Sequence, residues 1–370
     1  MNVWANCKKI LCIRADNMGD VIMSSPAMRA LKQSFGCSIT LLTSSMGAGI
    51  APYLPEIDEV ITYNLPWVKT DRPFDTAGFF HIIEKLKSYQ FDAAVIFTVF
   101  SQNPLPAAML TYLAGIPLRL AYCRENPYEL LTHWVPDKEP YSFIRHQVTR
   151  DLELVEHVNA KATNDKLSLR VPADAWYRAS QKLQLNAKER WLVMHAPVSE
   201  EKRMYPIDSW AAAAKQLINE FDCRLLLTGT ASEKPYTESL QKLIGRKAVS
   251  VAGLLSLDEY IALITYSPLL ISVNTGSIHI AAAVDTPVVV LYACTNPQHT
   301  PWKVPHKVLY FDVPAHLQSK NEVIRHVYDY VMEKPVQDPG PCEIVDAVKQ
   351  LMRKFSNADY DKALSGSSQD

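Results

Sequence analysis

The chain has 370 residues, more than one ordinary domain holds, and suits two domains of about 150–200. Its 48% hydrophobic and 21% charged residues are the make-up of a soluble globular protein. A formal net charge of -1 excludes a global basic field for holding nucleic acid, and the scattered Lys and Arg read as a solvated surface.

The seven cysteines (Cys7, Cys12, Cys37, Cys123, Cys223, Cys294 and Cys342) lie far apart and form no C-x-x-C pair. That argues for a reducing compartment and against a disulfide framework or a zinc site. The opening MNVWANCKK has charge but no apolar stretch, so no secretory signal is expected and the cytoplasm is the expected location. The apolar stretches 107–122 and 281–293 are broken by Pro117, Arg119, Asp285 and Pro287, and neither supplies the ~20 apolar residues of a membrane span. Contact with a membrane surface stays open.

In chain order, short apolar runs at 10–14, 39–43, 60–63, 93–98 and 118–122 read as strands, most of them continuous enough for a parallel sheet covered on both faces. Between them, 26–35, 79–89 and 105–114 have helical character, and 142–159 carries apolar residues at helical spacing. After a polar helix-like stretch at 174–185 a second series follows, with strands at 192–195, 225–228, 269–273 and 288–291. Helices at 208–220, 233–244, 258–266 and 277–283 lie between and after them. The alternation predicts α/β architecture with two doubly wound, Rossmann-like domains, 1–172 and 173–355, and a polar tail at 356–370. Open sheets of this kind bind ligands beyond the carboxyl ends of their strands, so motifs that follow strands are the candidates.

Four such motifs stand out. In ILCIRADNMGDVIMSSPAMRALK (10–32), Gly19 suits a tight turn or a close backbone approach. Asp20 in the same motif reads as a helix-start acid or cap, or as a functional carboxylate. Pro26 leaves two helix starts open, near Asp20 with a kink or at the proline itself. In HAPVSEEKRMYPIDSW (195–210), Lys202 and Arg203 read as exposed loop cations or as phosphate ligands. In LLLTGTASEKP (225–235), a strand ends at Thr228-Gly229 and Glu233 enters the next helix. In SVNTGSIHIAAAVDTPVVVLYACTNPQHTPW (272–302), a strand runs into Asn274-Thr275-Gly276-Ser277, whose free N–H groups at a helix start make an anion site. His279 follows in the first turn of that helix, facing a ligand or the core. Neither a G-x-G-x-x-G fingerprint nor a Walker A sequence occurs, which removes the main support for nicotinamide or P-loop chemistry.

Taken together, M-G-D-V-I-x-x-x-P-A-x-x-A-L-K, then H-A…K-R…Y-P…W, then N-T-G-S-I-H-I-A-A-A…T-P-V-V-x-L-Y…T-N-P…P-W resemble glycosyltransferase family 9, the heptosyltransferases, over most of residues 9–302. The resemblance implies a GT-B fold, two Rossmann-like domains facing a central cleft. The first domain would bind the acceptor and the second the nucleotide-sugar. It implies an inverting transfer without catalytic metal or cofactor, with ADP-heptose the favoured donor and a glycan or lipopolysaccharide-type glycolipid the acceptor. By the same resemblance Asp20 is the catalytic base, with Met18 and Gly19 beside the acceptor. The donor would be held by Lys202 or Arg203, Thr228, Gly229, Glu233, Asn274, Thr275, Gly276, Ser277 and His279.

The chain departs from the family pattern on the donor side. Asn274 stands where Asp is common, Ala293-Cys294-Thr295-Asn296-Pro297 replaces G-P-T-D-P, and K-R-M-Y-P is one residue longer than the usual motif. Counting from His195 makes Lys202 the phosphate ligand, whereas counting back from Pro206 makes it Arg203. Two alternatives share the scaffold: a sugar-nucleotide epimerase or hydrolase, and a catalytically silent nucleotide-sugar-binding protein.

Overall fold

The computed structural model describes residues 2–68, 75–185, 189–332 and 336–352, and the polar tail 356–370 lies outside them. It comprises two compact units, one running to Ser168 and the other starting at Leu169.

In the first unit β1 (Lys9–Ile13), α1 (Met18–Phe35), β2 (Ser38–Thr43), α2 (Ser45–Ala48), β3 (Glu59–Thr62) and α3 (Thr76–Tyr89) come first. They are followed by β4 (Ala93–Ile96), α4 (Leu105–Leu113), β5 (Leu118–Cys123), β6 (His133–Pro136) and α5 (Gln147–Glu156). The strands form one parallel sheet in the order β3-β2-β1-β4-β5-β6. The chain turns outward in both directions from β1, so the order reverses between β1 and β4. A crevice forms at such a switch point because the loops after the two strands lead to opposite faces of the sheet.

The second unit repeats the plan. It begins with α6 (Ala175–Leu183), β7 (Trp191–His195), α7 (Ile207–Phe221), β8 (Arg224–Leu227), α8 (Lys234–Ile244) and β9 (Ala248–Ser250). Then come α9 (Leu257–Tyr266), β10 (Leu270–Val273), α10 (Gly276–Ala283), β11 (Val288–Ala293), β12 (His306–Phe311), α11 (Glu322–Tyr330) and α12 (Pro341–Met352). Its parallel sheet runs β12-β11-β10-β7-β8-β9, so the switch point lies between β7 and β10. Each unit has its own apolar core. Leu11, Ile13, Ile82, Ile96 and Leu110 pack in the first, and Leu192, Trp210, Leu217, Ile271 and Ile344 in the second.

The structure adds β6, β9 and β12 to the strands expected from sequence. The outermost β6 is short, with Trp134 exposed and Pro136 at its end, and β12 opens on the exposed His306 and Lys307 before its apolar run 308–311, in which Tyr310 is also exposed. The outermost β9 is a short piece, Ala248–Ser250, with too few residues to show a period. The helical period at 142–159 also extends beyond the helix. The backbone N–H of Arg145 donates to the buried Glu139 carboxylate (2.6 Å), and the His146 side chain caps α5 by accepting from Val148 N–H.

Of the two starts left open for α1, the earlier holds. The helix begins at Met18 after Asn17 and runs through Pro26 to a left-handed Gly36 (φ 58°). Proline at 26 cannot donate to the Ile22 carbonyl one turn back. The Ser25 hydroxyl donates to it instead, at 2.8 Å, deep in the core. Of the two roles the sequence offered for Gly19, the tight turn does not hold. Gly19 is buried in the first turn of α1, and it is not among the glycines of positive φ.

Candidate active site

Loops after β7, β8 and β10 gather the candidates of the second unit. Thr275 is the N-cap of α10 in extended conformation, yet its hydroxyl makes no cap bond. Its Oγ1 is buried without a hydrogen-bond partner among the described residues, as is Nε of Arg203. Burying such groups unpaired costs about 1–3 kcal/mol each, so a pair at a helix start, where N–H groups also point outward, is a site prepared for an anion. Arg203 Nη1 donates to the carbonyl of Asn274 (3.3 Å), and Nη2 pairs with Glu200 (3.2 Å). Lys202 Nζ lies 3.5 Å from the same Glu200 carboxylate. The lysine lines a small, open cavity with Cys294, Thr295, Gln318, Arg325 and Tyr328.

Asn274 is turned towards β11. Its Oδ1 accepts from Ala293 N–H and its Nδ2 donates to Thr295 Oγ1, both at 3.4 Å. The amide can both donate and accept, which an ionised Asp cannot, so Asn at this position ties two loops together. Ser277 Oγ accepts from Tyr260 OH (2.8 Å). His279 is 4% exposed, with its ring edge-on to His299.

Gly229 and Glu233 lie after β8. Glu233 closes a capping box, its Oε2 accepting from Thr230 N–H (2.7 Å) and Thr230 Oγ1 (2.9 Å). A side chain at 229 would meet Glu233 Cβ at 3.2 Å and its Oε2 at 3.3 Å, so Gly229 leaves the acid its room. Thr228 Oγ1 lies 3.1 Å from His195 Nδ1. Burial holds the His195 imidazole below its ordinary pKa, against the field of Glu233. Burial also lifts Tyr260 to about 12, so both rings are neutral near pH 7.

In the first unit the loop after β1 carries Arg14 and Asp16, and Asp20 follows in the first turn of α1. Arg14 is fully buried; its Nε lies 3.3 Å from Asp16 Oδ2 and its Nη2 2.9 Å from Asp20 Oδ1. Burial pulls the guanidinium pKa down, but Asp16, Asp20 and Asp151 more than offset it and the net shift is upward. Asp20 is the third residue of α1 and closes a capping box with Asn17, whose N–H donates to Asp20 Oδ2 (3.3 Å). Its side chain remains 14% exposed. Met18 and Gly19 precede it, the first half-buried and the second buried.

Behind Asp20, Ser24 Oγ donates to the buried Asp151 (2.6 Å), which also accepts from Gln147 Nε2 (2.8 Å). Burial raises the Asp151 carboxyl to about 6. Asp16 is raised too, chiefly by burial, and accepts from Gln102 Nε2 (2.6 Å).

Arg14, Asp16, Asp151 and Tyr260 had not been singled out from the sequence. Arg14 left a signal there, an arginine ending an apolar strand with an acid two and six residues on. Asp151 left none, because its contact with Ser24 spans 127 positions.

The model of the family described as "Glycosyltransferase family 9 (heptosyltransferase)" matches residues 79–327. The lipooligosaccharide heptosyltransferase 2 of Haemophilus influenzae is 25% identical over 307 residues, covering 79% of this chain and 85% of that protein. The solved family 9 glycosyltransferase of Veillonella parvula superposes with a TM-score of 0.75 at 16% identity, covering 96% of this chain and 99% of the other. An E. coli heptosyltransferase solved with ADP-2-deoxy-2-fluoro heptose superposes with a TM-score of 0.64 at 17% identity, covering 94% and 99%.

Proposed function

Because the chain belongs to glycosyltransferase family 9, the heptosyltransferases, we propose that it transfers a heptose from ADP-heptose to a hydroxyl of a lipopolysaccharide-type acceptor, with inversion and without a metal. The second unit is the donor-binding domain and the first the acceptor-binding domain. The observation that carries this reading is the prepared anion site of the second unit: Thr275 Oγ1 and Arg203 Nε, buried without partners, beside the start of α10.

In the proposed reaction the acceptor oxygen attacks the anomeric carbon as the bond from that carbon to the diphosphate oxygen breaks. ADP leaves with the electron pair, and Asp20 takes the hydroxyl proton. Positive groups aimed at the departing diphosphate supply the stabilisation that a metal ion would otherwise give. Here these are Lys202, Arg203 and the α10 N–H groups at Gly276 and Ser277. Glu233, beside Gly229 and Thr228 in the loop after β8, holds the nucleoside end. His279 and Asn274 shape the loop under the phosphates.

Among the described residues no helix is long and apolar enough to cross a membrane. In this reading a glycolipid acceptor is met from the cytoplasmic side by peripheral contact.

The test is a turnover screen over ADP-, GDP-, UDP- and dTDP-sugars with and without a lipopolysaccharide-core acceptor. Acceptor-dependent ADP release with heptose alone is the expected result. Release without an acceptor would make the protein a hydrolase, and a sugar-nucleotide isomer as product an epimerase.

A further inference from the structure

We infer that Arg14 is a positioning residue for the transfer, fixing the Asp20 carboxylate in the orientation in which it receives the acceptor proton. The inference rests on Asp20 being the base, as proposed above.

Arg14 stands one residue beyond β1, where most side chains at strand ends face solvent, yet it is 0% exposed. A buried guanidinium is tolerated only when carboxylates surround it. Here Asp16 and Asp20 approach it through Nε and Nη2, at 3.3 and 2.9 Å, with Asp151 acting on it from behind. Asp16 is itself anchored by Gln102 from the loop after β4, the strand across the switch point. The order of support therefore runs from Gln102 through Asp16 and Arg14 to Asp20. Asp20 ends this chain of contacts at 14% exposure, the same as Asp16, but unlike Asp16 it sits at the start of α1. Its second oxygen is held by Asn17 N–H. A carboxylate fixed through both oxygens has one rotamer to present, and general-base transfer depends on that geometry. The helix cap alone needs only the Asn17 contact, so it does not account for a buried arginine.

The experiment is a double-mutant cycle on turnover with Arg14→Met and Asp20→Asn, with Arg14→Lys as the conservative variant. Folding is checked by near-ultraviolet circular dichroism. Arg14→Met is expected to lower kcat by about 10²-fold with KM for donor and acceptor unchanged, and Arg14→Lys to recover part of the loss. In the Asp20→Asn background Arg14→Met should cost nothing further, because the residue it serves is already inactive. Should Arg14→Met fail to fold with three carboxylates left behind, Arg14→Met combined with Asp16→Asn restores the charge balance and enters the cycle in its place. Equal kcat losses with and without Asp20 would overturn the positioning role, as would a folded Arg14→Met with the kcat of the parent. A folded Asp20→Asn with full turnover would instead remove the base assignment on which the inference stands.

Discussion

Arg203 Nη1 donates to the Asn274 carbonyl across 3.3 Å and ties the loop after β7 to the start of the α10 loop. Lys202 instead lines the cavity beside Thr295. Lys202→Ala is therefore expected to weaken nucleoside-diphosphate binding by about 1.5–3 kcal/mol, the range for hydrogen bonds to charged groups, and to leave the bare nucleoside unaffected. Arg203→Ala should weaken the diphosphate through the loss of its unpaired Nε, and the bare nucleoside as well because the loop loses its tether. Calorimetric titration of both ligands decides it, and a diphosphate-only defect in the arginine variant would exchange the two roles.

Asp20→Asn is expected to fold and bind donor while losing about 10²–10⁴ in kcat. Asn keeps one oxygen for the Asn17 N–H, so the helix start survives, while its amide gives up the ion pair with Arg14 and lowers the melting temperature moderately. Steady-state kinetics alongside thermal melting separate the outcomes. A collapse in melting temperature would favour the capping role over the chemical one.

Turnover should be indifferent to EDTA. The donor diphosphate already meets Lys202, Arg203 and the start of α10 in the proposed mode. Loss of activity on chelation with return on adding Mg²⁺ or Mn²⁺ would show that these groups do not suffice.

Asp151 predicts a pH dependence of stability. Its carboxyl titrates near 3.8 when unfolded and at about 6 when folded, so between those values the folded chain binds more protons than the unfolded one. Stability then falls as pH rises through this window, by a total of about 3 kcal/mol. Asp151→Asn should abolish that component. Its amide can donate to Ser24 Oγ, whose own proton then serves the Asp20 carbonyl at 3.1 Å. Urea denaturation at about pH 4 and pH 7 reads the difference. An unchanged difference between parent and variant would place the titration elsewhere.

The alternation of strand and helix was legible because β1, β4, β7, β10 and β11 are nearly all apolar, as strands covered on both faces must be. Of the outermost strands only β3 was legible; β6, β9 and β12 were not, since an exposed face or a short length weakens the signal. The loops that carry the candidate site could be read from their places after strands. Contacts within them could not be: Asn274 reaching β11, Tyr260 meeting Ser277 from α9, and Asp151 closing on Ser24 from α5 depend on chain crossings that local spacing does not encode. Of the two roles the sequence offered for Gly19, a tight turn or a close backbone approach, the turn was overridden by the earlier start of α1.

The hydroxyl of Ser25 that serves the carbonyl left over by Pro26 gives these neighbouring positions a joint mutational fate. Ser25→Ala alone strands a buried acceptor at a cost of about 1–3 kcal/mol. Once residue 26 is alanine, its restored N–H can reach Ile22, and the same serine change costs little. The harm done by one substitution thus depends on the other, so the pair is epistatic. Sequence drift would lose the proline first and the serine afterwards, seldom in the reverse order.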